Sequence, residues 1–560
     1  MSDTIQSKFK ESVYSAVCYG CSFGCGVYMR ELEASNAEGV SCSAPILNID
    51  YRKSSPVNQG KLCRFGVKLA DTYSPAASSV KGETVSVDEA VSKAAEVLKN
   101  AKASDIAILS VGGTTNEEHL ALIKIGEKLG VPVSTGMTGI FKDIGKLHAY
   151  LGRDTTYEDV EAAKKIYLLV DPYVSYPLLI RSLILAKEKG AEIVSFGLKT
   201  LPIAAKNVVV DPDASLYDVK EFAPDADTII ISDLTPYTYA RRLAEVVEIA
   251  GGKSRFLFMR PFMNAAGAGY LSKHTKQASF DDIVSKMETG DLKVLVCLDS
   301  DLINICFNDG MRETFKNLEN TIVITSRDTA VCSVADVVIA TEPFYKKKGT
   351  VMNSEGRLIP ITAAAGEMPL TGFNALSGIL EALGGSALDY EAIYAEVVST
   401  LGASVDEYQI TMPEKKKKAP PETHKVSDKL PHLAAAFDCT SEPESFVSSA
   451  SMEAGEVGAC AAKHVYLTNP FLWNGVLDND NYIEINRNQV RQSALLKGFT
   501  ADVICACGEV RKTMRFKVCG VADGYVLSLR KQPFAKTPFT GVEVVCSSTK
   551  PKDFTAPKGC

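Results

Sequence analysis

The sequence predicts an α/β protein in which two central domains are flanked by a small cysteine-rich module and a β-rich domain. Between residues 76 and 410, short apolar runs such as 105–111 and 165–171 alternate with stretches of helical periodicity. Apolar runs separated by helices are typical of parallel sheets that are covered on both faces. The region therefore predicts two doubly wound α/β domains. A chain of 560 residues is also expected to hold about three or four domains.

The two ends of the chain differ from this central region. Residues 12–75 are rich in glycine and cysteine and predict a small cluster-binding module. Residues 411–460 include a charged, proline-containing stretch without periodicity, which is typical of a solvated linker. Residues 461–560 contain short alternating strands separated by turns, which predict a closed β-barrel.

The composition excludes several classes of function. The net charge is −7 and the isoelectric point is about 5.6, so neither nucleic acid nor an anionic membrane surface is an expected partner. No apolar run reaches the roughly 18 residues of a membrane-spanning helix, and the first residues lack the apolar stretch of a secretory signal. Most cysteines outside the first tenth of the chain lie beside apolar runs, which indicates reduced thiols and a cytoplasmic location.

Four cysteines near the N-terminus predict a metal centre. Cys18, Cys21 and Cys25 are spaced C-x2-C-x3-C, and Cys63 follows 38 residues later. Thiolates are soft donors that bind iron or zinc. Three ligands on one loop with a distant fourth are typical of a [4Fe–4S] cluster, and no histidine precedes His119 to complete a Cys/His zinc site. The residues alone leave open a structural zinc, unligated thiols, and Cys42 as the fourth ligand.

Several segments together resemble the molybdopterin oxidoreductases, a family that includes formate dehydrogenases and the large iron–sulfur subunit of respiratory complex I. The cysteine segment "CYGCSFGCG…SPVNQGKLCRFG" is similar to the N-terminal [4Fe–4S] module of that family. "TNEE" (115–118) and "PFYKKKGTVMNSEGRL" (343–358) follow in the order found there. The resemblance implies a cluster domain, two interleaved α/β domains and a six-stranded barrel. It also implies that Cys63, not Cys42, is the fourth ligand.

The resemblance further implies a molybdopterin site, but the residues that would form it are replaced. In catalytic members a Cys, selenocysteine, Ser or Asp binds molybdenum or tungsten about two dozen residues after "TNEE". Here Met137 and Thr138 fall near that position, while Ser134 and Asp143 are offset by several residues. The sequence therefore predicts that this chain lacks the metal ligand of the catalytic members.

The segments that bind the pterin phosphates in the family are also changed. The corresponding loops contain Asp171, Asp299 and Asp301, whose negative charges would repel a pyrophosphate. Phe65 stands where the family has a lysine between the cluster and the pterin. We therefore expect no molybdenum or tungsten in the cleft between the α/β domains.

These observations lead to one functional hypothesis and two alternatives. The hypothesis is an electron-transfer subunit whose single [4Fe–4S] cluster passes electrons between centres on partner subunits, such as iron–sulfur or flavin proteins. The first alternative is a catalytic molybdenum or tungsten bis-pterin oxidoreductase, similar to a formate dehydrogenase. The second is a structural assembly subunit in which a metal only stabilises the fold.

Overall fold

The computed structural model describes the strands, helices and connections that position the cysteines. The described residues are 8–35, 46–136, 155–211, 214–233, 254–272, 280–305, 311–363, 368–401, 459–466, 482–493, 500–505, 511–528 and 539–546, with 245–246, 249–250, 278 and 495. The strands are β1 (Lys8–Val17), β2 (Gly26–Ser35), β3 (Ile46–Tyr51), β4 (Ser79–Val80), β5 (Glu83–Thr84), β6 (Ile106–Leu109), β7 (Val133–Ser134), β8 (Lys165–Leu168), β9 (Glu192–Gly197), β10 (Lys206–Val209), β11 (Thr228–Asp233), β12 (Arg255–Met259), β13 (Val294–Leu298), β14 (Asn320–Thr325), β15 (Val337–Ala340), β16 (Gly349–Met352), β17 (Leu358–Ala363), β18 (Ala459–Tyr466), β19 (Tyr482–Ile485), β20 (Ala501–Cys505), β21 (Arg511–Val518), β22 (Tyr525–Ser528) and β23 (Phe539–Cys546). The α-helices are α1 (Val87–Asn100), α2 (Asn116–Leu129), α3 (Tyr157–Ala162), α4 (Leu179–Glu188), α5 (Ala265–Leu271), α6 (Phe280–Thr289), α7 (Leu302–Ile305), α8 (Met311–Thr314), α9 (Thr371–Ala382), α10 (Tyr390–Leu401) and α11 (Arg487–Gln492).

The N-terminal sheet combines segments from distant parts of the chain. Its strand order is β16-β17-β1-β2-β3. β1 and β2 form a hairpin in which Val17 pairs with Gly26, and β17 joins β1 through the pair Tyr14 and Ala363. The sheet that presents the first three cysteines is therefore completed by residues 349–363.

Two α/β units follow, one inserted in the other. β10-β9-β8-β11-β12 form a five-stranded sheet in which all neighbours are parallel. The second sheet has the order β5-β4-β15-β14-β13-β6-β7, and its strands come from the chain before and after the inserted unit. Its neighbours are parallel except at β4 and β5. Fully buried strands such as β6 and β13 explain the continuous apolar runs of the sequence. The predicted α/β class is confirmed.

Local signals fix the helix that carries "TNEE". The Thr115 side chain accepts a hydrogen bond from the Glu118 amide at 3.3 Å and so caps the start of α2. Gly130 ends the helix in the left-handed conformation, with φ of 69°. Since α2 starts just after β6, both glutamates of the motif lie at the carboxyl edge of the seven-stranded sheet.

The C-terminal strands hydrogen-bond in a closed ring, β18-β22-β19-β21-β20-β23. This barrel contacts the loop that follows β9, where the Thr200 amide donates to the Gly520 carbonyl and the Ala522 amide to the Leu198 carbonyl. Lys199 in the same loop forms ion pairs with Glu484 of the barrel at 2.8 Å and with Asp171 after β8 at 3.3 Å. The barrel therefore covers the carboxyl edge of the five-stranded sheet.

A helix that crosses a membrane has to be both long and apolar. None of the helices in the described residues combines the two properties.

A buried ion network joins the start of α2 to the segment that leads into β16. Lys347 is 1% exposed and lies 2.6 Å from a carboxylate oxygen of Glu118 and 3.6 Å from one of Asp299. Burial alone would lower the pKa of Lys347, but the carboxylates of Glu118, Asp299 and Glu342 raise it. Thr350 adds two hydrogen bonds to the Glu117 carboxylate, both of 2.8 Å. The network thus holds α2 against the segment that enters the N-terminal sheet.

We expect Lys347→Met to destabilise the protein by about 3–5 kcal/mol, because it leaves carboxylates buried without their cation. Lys348→Met is the matched control, since the Lys348 and Glu391 side chains are 43% and 73% exposed and such pairs contribute about 0–1 kcal/mol. Urea unfolding followed by circular dichroism measures both variants. Equal losses would contradict a structural role for the network.

Candidate functional site

Three of the four predicted cysteine ligands lie on the tight connection of the first hairpin. β1 ends at Val17 and β2 begins at Gly26, so Cys18, Cys21 and Cys25 fall within eight residues of loop. The Cys18 amide donates to the Cys25 carbonyl at 2.9 Å and closes this loop at its base. The hairpin register therefore holds the three cysteines on one short, closed loop.

Asn58 brings the fourth cysteine to the same place. Its side-chain oxygen accepts from the Gly26 amide at 2.9 Å, and its side-chain nitrogen donates to the carbonyls of Gly26 at 3.1 Å and Lys61 at 2.8 Å. Asn58 is 2% exposed, so these bonds are made away from water. They connect the start of β2 to the turn that leads into Cys63.

The four thiols line a single cavity. Its remaining walls are apolar side chains and backbone, and they comprise Gly20, Leu62, Phe65, Gly66, Ser175 and Pro177. The centre of a water-sized sphere can move within about 20 Å³ of this cavity. This is more room than one water molecule requires. Cys18 and Cys25 are each 6% exposed, whereas Cys21 and Cys63 are half-buried. The cavity therefore has a buried side and a side that faces solvent.

The thiols surround the cavity without meeting at one point. Nowhere in the described ranges of the chain do three Cys, His, Asp or Glu side chains converge closely enough to hold one metal ion. A zinc site needs all four sulfurs about 2.3 Å from the same ion. In a [4Fe–4S] cluster, by contrast, four cysteines hold a larger core. Four cysteine thiols that line one cavity are a donor set that fits a [4Fe–4S] cluster.

The surroundings of Cys18 and Cys25 favour the neutral form of these two thiols. Burial raises the pKa of Cys18 well above its ordinary value, and the nearby Cys63 and Cys21 raise it further. Burial and the other three thiols likewise raise the pKa of Cys25. Metal binding at this cavity would therefore release protons and offset the repulsion among the thiolates.

Ser22 fixes the cysteine loop to the end of β12 and to the turn between β16 and β17. Its amide donates to the Arg260 carbonyl at 3.1 Å, and its hydroxyl accepts from the Arg260 amide at 2.8 Å. The Ser22 carbonyl accepts from the Ser354 amide at 2.8 Å, and the two serine hydroxyls are also hydrogen-bonded. Ser22 is fully buried. The loop between Cys21 and Cys25 is thus held by strand ends that lie far away in the sequence.

Phe23 adds an aromatic anchor beside this serine. Its ring stacks on Tyr157 at the start of α3, with centroids 4.1 Å apart and planes inclined by 8°. The Tyr157 hydroxyl donates to the Phe23 carbonyl at 3.1 Å, and Asn353 donates to the same carbonyl at 3.2 Å. These contacts leave little freedom to the turn that carries Cys25.

Phe65 lines the cavity and packs against Tyr19. The rings of Tyr19 and Phe65 meet edge to face at 5.6 Å, and the Arg327 guanidinium lies 4.2 Å from the Tyr19 ring centre. A Cβ at Gly20 would lie 2.4 Å from the Phe65 ring, so only glycine fits between them. Phe65 thus serves as packing for the cysteine loop.

Most residues predicted to replace the molybdenum ligand lie outside the described part of the chain. This applies to Met137, Thr138 and Asp143, and also to Cys42, the alternative fourth cysteine. Ser134 is described: it is buried on β7, where its hydroxyl accepts from the Gly136 amide at 3.3 Å. It therefore stabilises a local turn.

Asp171, Asp299 and Asp301, in the loops compared above with the family's phosphate-binding segments, are engaged by protein groups. Asp171 pairs with Lys199, and burial raises its pKa although Lys199 opposes this shift. Asp299, whose φ is 41°, accepts from the Thr325 hydroxyl at 2.8 Å and the Ser326 amide at 3.1 Å. The carboxylate of Asp301 accepts from the Asn304 side chain at 2.7 Å and from the Ala330 amide at 3.1 Å. Each aspartate thus organises its own loop.

Comparisons with known proteins inform the fold. No family model and no curated protein sequence matches the chain. The structure of acetylene hydratase from Pelobacter acetylenicus is similar over 95% of this chain and 100% of its own, with a TM-score of 0.57 and 11% identity. A chain of the formyltransferase/hydrolase complex FhcABCD from Methylorubrum extorquens, in complex with methylofuran, is similar over 55% of this chain and 98% of its own, with a TM-score of 0.40 and 18% identity. The first likeness shows the fold, which is consistent with the molybdopterin-oxidoreductase-like fold that the motifs predict.

Sequence reasoning missed the residues that hold the cysteine loop. Ser22 and Asn58 lie inside the quoted cysteine segment and Arg260 lies outside it, but the pattern assigns none of them a role, since their partners are distant in the chain. Ser22 could have been noticed only as a polar residue between two predicted ligands. Arg327 likewise approaches the loop only because the chain folds, so no spacing in the sequence predicts this contact.

We expect Gly24→Ala to destabilise the protein by about 2–4 kcal/mol. The residue has φ of +87°, and an added Cβ would lie 2.7 Å from Cβ of Asn353 and 2.9 Å from Cδ1 of Ile359, so backbone strain and overpacking add together. Gly82→Ala is the matched control, with φ of +82° and no atom within 4 Å of its added Cβ. It should lose about 1 kcal/mol. Urea unfolding measures both, and equal losses would show that Gly24 is needed only for its backbone angle.

Proposed function

We propose that this protein is an electron-transfer subunit of a multi-subunit redox complex, with one [4Fe–4S] cluster held by Cys18, Cys21, Cys25 and Cys63. The observation that carries this proposal is the cavity lined by all four thiols. When bound there, the cluster supplies one-electron chemistry. The residues of this chain exclude water from one side of the cavity and leave the other side open to a partner.

The groups around the cavity suit this role. Cys18 and Cys25 anchor the site within the core that also includes Phe23 and Leu179, so two ligands are shielded from solvent. Cys21 and Cys63 are half-buried and provide a short path to the surface. Burial and hydrogen bonding near the sulfurs are the usual means by which proteins set a cluster potential.

The loops at the carboxyl edges of the sheets support electron transfer over pterin chemistry. A pyrophosphate site needs donors and positive charge. The described loops instead contain Asp171, Asp299 and Asp301, each already bound by protein groups. Lys199 lies at one of these edges, but it is paired with two carboxylates. These contacts favour a chain that carries electrons without its own molybdenum or tungsten.

A catalytic role is the second candidate, and the fold favours it. The likeness to acetylene hydratase extends over 95% of this chain, and that protein is an enzyme by its name. A bis-pterin oxidoreductase of this fold would contain molybdenum or tungsten in addition to iron. Metal content therefore separates the two proposals.

Metal analysis of anaerobically purified protein tests the proposed function. We expect about four iron and four sulfide per chain, an electron paramagnetic resonance signal after reduction, and neither molybdenum nor tungsten. Molybdenum or tungsten with an extractable pterin would establish the catalytic candidate. One zinc per chain without iron would indicate a structural subunit.

Cysteine variants test the ligand assignment. We expect Cys18→Ser, Cys21→Ser, Cys25→Ser and Cys63→Ser each to lose or alter the cluster signal, because each removes a thiolate from the cavity. Cys332→Ser is the matched control, because Cys332 is also half-buried but lies in the unit of the seven-stranded sheet and does not line the cavity. Cys42→Ser should also keep the signal. Loss in Cys42→Ser together with an unchanged signal in Cys63→Ser would overturn the choice of fourth ligand.

Arg327→Gln should shift the cluster potential to more negative values. Arg327 lies over the ring of Tyr19, next to Cys18, and a nearby cation stabilises the reduced, more negative state. One unit charge at about 10 Å and an effective dielectric of about 20 corresponds to tens of millivolts. Arg312→Gln is the control, because it removes the same charge from another part of the seven-stranded unit. The exposed Arg312 side chain donates to the Ser333 hydroxyl at 2.8 Å. Redox titration measures both, and an unchanged potential in Arg327→Gln would remove this residue from the site.

A further inference from the structure

The surface around Cys63 differs in charge from the rest of the protein. Residues 51–69 contain five basic residues and no acidic residue, although the whole chain has 68 acidic and 61 basic residues. One of the five, Arg52, is buried. The other four, which we name the basic rim, are exposed: Lys53, Lys61, Arg64 and Lys68. A local excess of cations on an acidic protein indicates a surface that attracts anions.

The basic rim borders the side of the cavity that faces solvent. Lys61 precedes the cavity-lining Leu62, and Arg64 lies between Cys63 and Phe65 in sequence. Lys53 belongs to the same turn, since a Cβ at Gly60 would lie 3.0 Å from its Cγ. The charges are therefore grouped around the half-buried ligand.

Neighbouring elements change this charge only in part. Arg181 on α4 donates to Gln59 at 3.0 Å and so adds another guanidinium beside the rim, although Glu161 lies 3.6 Å from it. Asp71 lies 3.5 Å from Lys68, and both side chains are more than half exposed. Such exposed pairs are weak, so the rim remains positive overall.

Exposed apolar side chains lie close to the same opening. Val67 is 45% exposed, and its amide donates to the Cys63 carbonyl at 3.1 Å. Tyr173 is 37% exposed and comes two residues before Ser175, which lines the cavity. An apolar centre with a charged border is the usual composition of a protein interface.

We propose that the basic rim is the docking surface for a small acidic electron-transfer protein. This inference rests on the proposed function, because the partner exchanges electrons with the cluster held by the four cysteines. The reduced partner gives up one electron and is oxidised, the cluster is reduced by the same electron, and no bond or proton changes. Opposite charges speed such an encounter and orient it. The redox centre beside the rim favours an electron carrier over another polyanion.

Stopped-flow reduction of the full chain tests this proposal. The probe is a reduced acidic plant-type ferredoxin, mixed anaerobically with the cluster-loaded protein at low and high salt. We expect Lys53→Glu/Lys61→Glu to lower the second-order rate constant at least about tenfold at low salt and to weaken its salt dependence. Neither residue is a proposed ligand. Lys102→Glu/Lys220→Glu, which changes the charge equally at exposed positions of the α/β units, should leave the rate within about twofold.

The two proposals fail in different ways. Absence of a cluster in the unsubstituted protein would refute the proposed function itself. A cluster that dithionite reduces equally in all variants, with equal ferredoxin rates, would refute only the docking surface. Retention of the unsubstituted protein on heparin, lost in Lys53→Glu/Lys61→Glu while the ferredoxin rates stay equal, would assign the rim to another polyanion.

Discussion

The buried ion pair between Lys347 and Glu118 is the interaction on which the rest of the structure depends. It joins residues 229 positions apart, one on the helix of an α/β unit and one just before β16. β16 and β17 then complete the sheet that presents the cysteine hairpin. An ion pair at this depth is stable only if both charges stay paired, so its geometry tolerates little displacement. The position of the cysteine loop follows from that constraint.

The fold class was predictable because it depends on short-range pattern. Apolar runs such as 105–111 and 165–171 contain the strands β6 and β8, as parallel sheets covered on both faces require. The helix cap at Thr115 could also be predicted, since a capping threonine needs only its next three residues. The use of residues 349–363 to complete the N-terminal sheet could not be predicted from pattern alone, because strand pairing between distant segments has no local signature.

The candidate site, too, could be predicted from the sequence only in part. The spacing of Cys18, Cys21 and Cys25 is by itself enough to indicate a ligand loop. The contacts that hold this loop come from Ser22 and Asn58, and their value depends on partners that only the fold supplies. Both are ordinary polar residues of a loop when taken alone. Asp299 and Asp301 show the converse: their charge is evident in the sequence, but the hydrogen bonds that engage them are not.

The charges around the cavity follow from what four thiolates require. Four negative sulfurs in a partly apolar site repel one another unless positive charge lies nearby. Arg260 and Arg327 are supplied by the α/β units behind the hairpin, and burial lowers the pKa of Arg260 to about 10, still far above neutral pH. The Arg260 guanidinium donates to the Phe258 carbonyl and the Arg327 guanidinium lies over the Tyr19 ring, so both are held by groups of this chain. The residues of the basic rim are exposed and can act on another molecule. An exposed cationic border beside the half-buried Cys63 is what the proposed exchange of electrons with a partner requires.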